Sequence, residues 1–138
     1  MERFIKAQEN VYNNVIEELR NEKKRTHWMW YIFPQLRFLG KSDRAVFYGI
    51  ADVEEAKSFC SNNLLHNRYL ECCNILLGSK EKNPKIIMGE IDAIKLQSSL
   101  TLFYFIDEPN RSLYRKLIDK FYNGEIDVST YNYLKEDL

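Results

Sequence analysis

Apolar residues recur at three- and four-residue spacing at the start of the chain: Phe4, Ala7, Val11, Val15, Ile16 and Leu19. This spacing predicts one amphipathic helix of about four or five turns. A charged turn, 21–26, leads into the aromatic run His27-Trp28-Met29-Trp30-Tyr31-Ile32-Phe33. Periodicity does not separate strand from helix in so short a run, and Pro34 ends it either way. Helical neighbours and the lack of a partner strand favour a short buried helix. Ser42 is placed to cap a helix through Tyr48, and Asp52 with Glu55 forms a capping-box variant for a helix ending near Cys60. Asn63 opens a helix carrying Leu65, Tyr69, Cys72, Leu76 and Leu77, which Gly78 ends. Pro84 suits the first turn of a further short helix. Ile91–Phe105 reads as a long, largely buried helix. Asn110 starts another with Leu113, Leu117, Ile118 and Phe121 on one face, closed by Gly124, and Val128–Leu138 forms a short amphipathic tail. The expectation is an all-α protein with little or no sheet, a single domain over residues 1–138 with about seven or eight helices around one core.

Composition supports that reading. The chain has 138 residues, of which 45% are hydrophobic and 14% aromatic, enough apolar surface for a core and too much for disorder. Lys plus Arg and Asp plus Glu each number 20, so the formal charge is zero. Nucleic-acid binders carry a basic excess, so no nucleic-acid partner is expected. The start Met1-Glu2-Arg3-Phe4 lacks a signal-type apolar run, and Leu100–Ile106 is far too short to span a bilayer. A soluble, cytoplasmic protein without membrane attachment is expected. Cys60, Cys72 and Cys73 match neither a disulfide framework nor zinc-ligand spacing, and His66 reads as a surface or packing residue. No metal and no cofactor are expected.

Three clusters carry candidate chemistry. In Lys23–Trp30, basic residues run into a histidine and two tryptophans, with Gln35 just beyond. Lys24 can neutralise phosphate, Trp28 and Trp30 can stack on a base, and His27 can move a proton near neutral pH. The plainer alternative makes both tryptophans core residues and the basic run a solvated turn. In the second cluster, Asp92, Lys95 and Ser99 share one stripe of a mostly apolar helix, with Ser98 and Thr101 beside it. A buried ammonium at Lys95 needs either Asp92 as an internal counter-ion or a cleft that receives an anion, while the serines can bond back to the preceding turn. Third, Gln8 and Tyr12 sit four apart on the first helix, where they either find internal partners or line a pocket wall. A glycine-rich phosphate loop, a nucleophile elbow and an HExxH motif are all missing from the sequence.

These residues also carry a family pattern. The segments Arg3-Phe4, Ala7-Gln8, Tyr12, Lys24, His27-Trp28-Met29-Trp30, Ile32-Phe33-Pro34-Gln35-Leu36, Leu39-Gly40, Ser42, Tyr48-Gly49-Ile50, Gly89, Asp92, Lys95-Leu96 and Ser98–Phe103 resemble Domain of Unknown Function 1810 proteins, often labelled calpastatin. The resemblance covers Arg3 to about Thr130. It departs at Phe38, where glycine is usual, and at Met88, where phenylalanine is usual. Phe38 adds bulk that would narrow a pocket mouth. The resemblance implies no activity, and a dense helical core is unlike a disordered protease inhibitor.

The functional expectation is a binding domain for a small anionic metabolite of nucleotide or ADP-ribose type, sensing or sequestering a nucleotide signal. Trp28, Trp30 or Tyr12 would stack on the base, Lys24 and Lys95 would face phosphate, and Gln8, Gln35, Ser98, Ser99 and Thr101 would supply polar contacts. One alternative is a hydrolase or N-glycosidase on such a substrate. There His27 is the acid or base, Asp92 orients it or a water, and Lys95 stabilises developing negative charge. A second alternative is a peptide-binding module using Tyr131 and Tyr133.

Overall fold

The computed structural model describes residues 1–136. Among them are ten α-helices and two 3-10 turns, with no strand. The helices are α1 (Glu2–Gln8), α2 (Tyr12–Arg20), α3 (Met29–Ile32), α4 (Asp43–Tyr48), α5 (Val53–Ser61), α6 (Asn63–Leu77), α7 (Pro84–Met88), α8 (Glu90–Ile106), α9 (Arg111–Tyr122) and α10 (Val128–Leu134). Residues 137 and 138 of the expected tail lie outside the described region. The helix count exceeds seven or eight partly because the first periodic segment is broken. α1 closes through the Glu9 N–H to Ile5, and α2 restarts after a turn at Asn10 and Val11. An unbroken apolar period therefore spans two helices set on the same core.

Local capping fixes the other boundaries. Ser42 accepts the Ala45 N–H at 3.2 Å, and Asp52 accepts the Glu55 N–H at 2.9 Å. α6 begins at Asn63 as the periodicity implied, and its cap Asn62 accepts the Leu65 N–H. Asn123 closes α9 in the left-handed conformation at φ 55°.

The core is aromatic at its centre. Tyr69 of α6 is surrounded by Phe33, Phe59, Phe103 and Tyr114, with ring centroids at 5.4, 6.1, 4.6 and 5.9 Å. Tilted and edge-on packing of this kind adds about 0.5–1.5 kcal/mol per pair beyond area burial. α8 runs past this cluster with Leu96, Leu100, Leu102 and Phe103 fully buried. Its first turns differ from the expectation of a buried helix: Ile91 and Ile94 are 71% and 62% exposed, since among the described residues nothing covers that side of the amino-terminal end.

The segment joining α3 to α5 folds back on itself through an isolated parallel bridge between Leu36 and Ile50. Arg37 N–H donates to Ile50 O at 2.8 Å, and Ile50 N–H donates to Gln35 O at 2.9 Å. Gly49 makes the fold-back possible, since a Cβ there would stand 2.5 Å from Arg37 Cα. This arrangement brings α4 alongside α3 and in front of the start of α8.

Candidate functional site: a tryptophan flanked by cations

A buried carboxylate organises the loop that leads into α3. Glu18 of α2 accepts hydrogen bonds from Arg25 N–H at 2.6 Å, Thr26 N–H at 3.0 Å, the Thr26 hydroxyl at 2.6 Å, Trp28 Nε1–H at 3.1 Å and Asn14 Nδ2–H at 2.6 Å. Burial alone would raise this carboxyl. The Thr26 hydroxyl, the Arg25 and Thr26 amides and the Trp28 indole outweigh it and hold the group down at about 2. The loop is thus wound around a permanent anion, and Trp28, 1% exposed, is locked beneath it. Glu18 lies among Val15, Ile16 and Leu19 on the apolar side of α2, a carboxylate out of pattern that the sequence reading passed over.

Lys24 leaves the same loop and turns inward. Its side chain is 6% exposed and its ammonium lies 2.9 Å from Asp92 Oδ2, donates to Thr26 O at 2.6 Å and stands 5.0 Å from the Trp28 ring centre. The buried cation expected at position 95 is therefore Lys24 instead. Lys95 is 24% exposed, and its contact with Asp92 Oδ1 is the looser one at 3.9 Å.

Lys95 instead sits over Trp30, with Nζ 5.3 Å from the ring centre. Arg44 of α4 reaches the same ring, with Cζ at 5.1 Å. The His27 ring is 6.4 Å from it. Trp30 is therefore held among three nitrogen-bearing side chains drawn from α4, α8 and the loop before α3. Arg44 has no carboxylate within ion-pair range among the described residues, and Asp92 is shared between Lys24 and Lys95. In the linked group of Lys24, Lys95, Arg44 and Asp92, three cations face one carboxylate. Beneath the ring, Met29, Phe33, Gln35, Ala45, Gly49 and Lys95 enclose a cleft of about 10 Å³, room for one water. The buried Trp30 Nε1–H has no hydrogen-bond partner among the described residues.

The other candidate residues divide. His27 and Lys95 both approach Trp30, but the hollow they were expected to share is not formed: Gln35 and Lys95 line the cleft and His27 does not. His27 is exposed and its ring makes no hydrogen bond among the described residues, so Asp92 does not orient it. Trp28 is a core residue whose indole N–H belongs to Glu18. Ser98 donates to Ile94 O and to Asp127 Oδ2, Ser99 bonds Tyr69 at 2.8 Å, and Thr101 donates to Gln97 O while accepting the Asp127 N–H. These three hydroxyls tie α8 to α6 and to the segment before α10, because the polar stripe passes from the exposed start of the helix into its covered half. Gln8 and Tyr12 form a separate cluster. Gln8 donates to Tyr31 O at 2.8 Å and accepts from Arg68, and the Tyr12 hydroxyl donates to Glu71. Phe38 does not line the cleft; it is 54% exposed and stacks on Tyr133. Arg44 is the site residue that sequence reasoning missed, since a lone arginine on a short helix carries no motif.

A family model described as a protein of unknown function (DUF1810) matches residues 1–134. The chain belongs to this family. The crystal structure of the conserved hypothetical protein Rv1873 from Mycobacterium tuberculosis is similar to it at a TM-score of 0.92 and 42% identity, covering 95% of this chain and 93% of that one. No curated protein matches the chain. Family membership accounts for the long fixed-spacing motifs and assigns no activity. Among the described residues of this family member, no helix is long and apolar enough to cross a membrane.

Proposed function

We propose that the Trp30 face binds a small anionic metabolite, of nucleotide or ADP-ribose type. One observation carries the reading: Lys95 and Arg44 both stand against a single tryptophan, and among the described residues Arg44 has no carboxylate in ion-pair range while Lys95 shares Asp92 with Lys24. An indole among cations suits a ligand that combines a flat ring with phosphate, since the ring can stack and the charges can pair. The cleft below Trp30 admits one water and no ligand, so the ligand would lie on the face formed by Trp30, Lys95, Arg44 and His27. Lys24 acts at one remove, occupying Asp92 so that Lys95 remains available. A thermal-shift screen of nucleotides and sugar nucleotides tests the idea. At least one compound should raise the melting temperature of the wild type and lose that effect in Lys95→Ala; a flat response across the panel would leave the proposal without a ligand.

Turnover by His27 is the second reading, and its support is the exposed, unbonded imidazole at the same ring. With Asp92 committed to two lysines, His27 would act without an orienting carboxylate. Mass spectrometry of the ligand after incubation separates the readings: new products that vanish in His27→Ala indicate an enzyme, and unchanged ligand indicates a binder.

A further inference from the structure

A second polar centre lies at the other end of α8, about 18 Å along the helix from Lys95 at 1.5 Å per residue. The end of α5 contributes Cys60, the first turn of α6 contributes His66, and the residue closing α8 contributes Asp107. One donor atom from each lies within 4.8 Å of the other two. The residues are six and 41 positions apart in sequence, which is why no ligand spacing betrayed them. We propose that Cys60, His66 and Asp107 form a binding site for a divalent transition metal of the zinc class.

The donor set fits that chemistry. Thiolate, imidazole and carboxylate are the three ligand types that zinc combines, and three protein donors leave a fourth position open to solvent. Tetrahedral bonds of about 2.0–2.3 Å set donors roughly 3.3–3.6 Å apart. His66 Nε2 and Asp107 Oδ2 now stand 2.7 Å apart in a hydrogen bond, so side-chain rotations of about 1 Å convert the cluster to a ligating one. Metal, thiolate and carboxylate charges would then sum to zero, as a half-buried site requires. Binding would release the Cys60 thiol proton to solvent, and the His66 proton would sit on Nδ1 so that Nε2 is free to ligate.

The surroundings support the geometry. Asp107 is 6% exposed, and its Oδ2 also accepts the Tyr114 hydroxyl at 2.6 Å and Asn110 Nδ2–H at 3.1 Å. These outer partners hold the carboxylate in place, as partners of ligating carboxylates do. Asn110 Nδ2 also lies 3.4 Å from His66 Nε2. His66 keeps 22% of its side chain exposed and Cys60 is half-buried, which leaves an approach from solvent.

Cobalt(II) provides the test on the full chain. One equivalent should give the near-ultraviolet thiolate-to-cobalt band and an intense visible band of tetrahedral cobalt, and added zinc should displace both. Cys60→Ser should abolish the ultraviolet band and His66→Gln should weaken binding at least tenfold, with circular dichroism confirming the fold. A wild-type protein without a thiolate band, or a Cys60→Ser protein with the band intact, overturns the proposal. If either variant fails to fold, the wild type decides. Zinc should slow alkylation of Cys60 by iodoacetamide at least tenfold as read by peptide mass spectrometry, and an unchanged rate contradicts the site.

Discussion

The Lys24 ammonium and the Asp92 carboxylate meet at 2.9 Å, joining the loop before α3 to the first turn of α8. Asp92 spends its other oxygen on Lys95 at 3.9 Å, so one carboxylate serves two cations of very different exposure. Lys24 is a structural cation, anchored further by its backbone N–H donating to Ile87 O at 2.7 Å. Lys95 is the one left facing outward, over Trp30.

Asp92→Asn strands the Lys24 ammonium, whose side chain is 6% exposed. Loss of one partner of a buried pair costs about 3–5 kcal/mol, and the 20% exposure of Asp92 puts this case lower, at about 2–3 kcal/mol. Urea denaturation measures it. The same variant adds one net positive charge at the Trp30 face, so the protein that remains folded should bind an anion roughly threefold tighter or more. If Asp92 instead serves catalysis, its removal abolishes turnover.

Lys95→Ala should do the reverse. Its contacts are a half-exposed ring contact and a loose ion pair, so stability should change by less than about 1 kcal/mol. Anion affinity should fall about tenfold or more, because a charge-assisted contact is lost. A thermal melt and a titration of the same preparation give both numbers.

Ser99→Ala separates the serines of α8 from the ligand face. The Tyr69 hydroxyl would lose its partner inside the aromatic core, at a cost of about 1–3 kcal/mol. Ligand affinity should remain at the wild-type value. A matching loss of affinity would return Ser99 to the site.

Glu18 predicts an acid-sensitive loop. Its folded value of about 2 lies below the ordinary 4.5, so its stabilisation is complete above about 4.5 and is lost as pH falls towards 2. Stability curves over that interval should decline by about 2 kcal/mol more in the wild type than in Glu18→Gln, allowing for partial solvent screening. Tryptophan fluorescence should report the change, since the Trp28 indole donates to this carboxylate.

Much of the fold was legible because local rules wrote it. Ser42, Asp52, Pro84 and the Asn110–Gly124 interval mark helix boundaries within a residue or so of where they fall. The break at Asn10 was not, since α1 and α2 lay their apolar faces on the same core and keep one period across the turn. The site was half legible. His27, Gln35 and Lys95 each lie beside Trp30, and Asp92 reaches Lys95 but not His27. Which lysine is buried depends on how the 21–28 loop winds around Glu18, a tertiary fact with no periodic trace. The hydroxyls of Ser98, Ser99 and Thr101 look like ligand groups in sequence because a stripe on a helix does not say where the neighbouring helices end. Arg44, Cys60, His66 and Asp107 are joined to their partners only by the fold.

Trp30, flanked by Lys95 and Arg44, is proposed as an anion-binding face. Isothermal calorimetry of ADP-ribose and of inorganic pyrophosphate, titrated into wild type, Lys95→Ala and Arg44→Ala at two salt concentrations, tests it most directly. At least one of them should bind the wild type saturably, with affinity weakened about tenfold or more by each substitution and by added salt. Binding of equal strength in all three proteins, or no heat from the wild type with either compound, would contradict it.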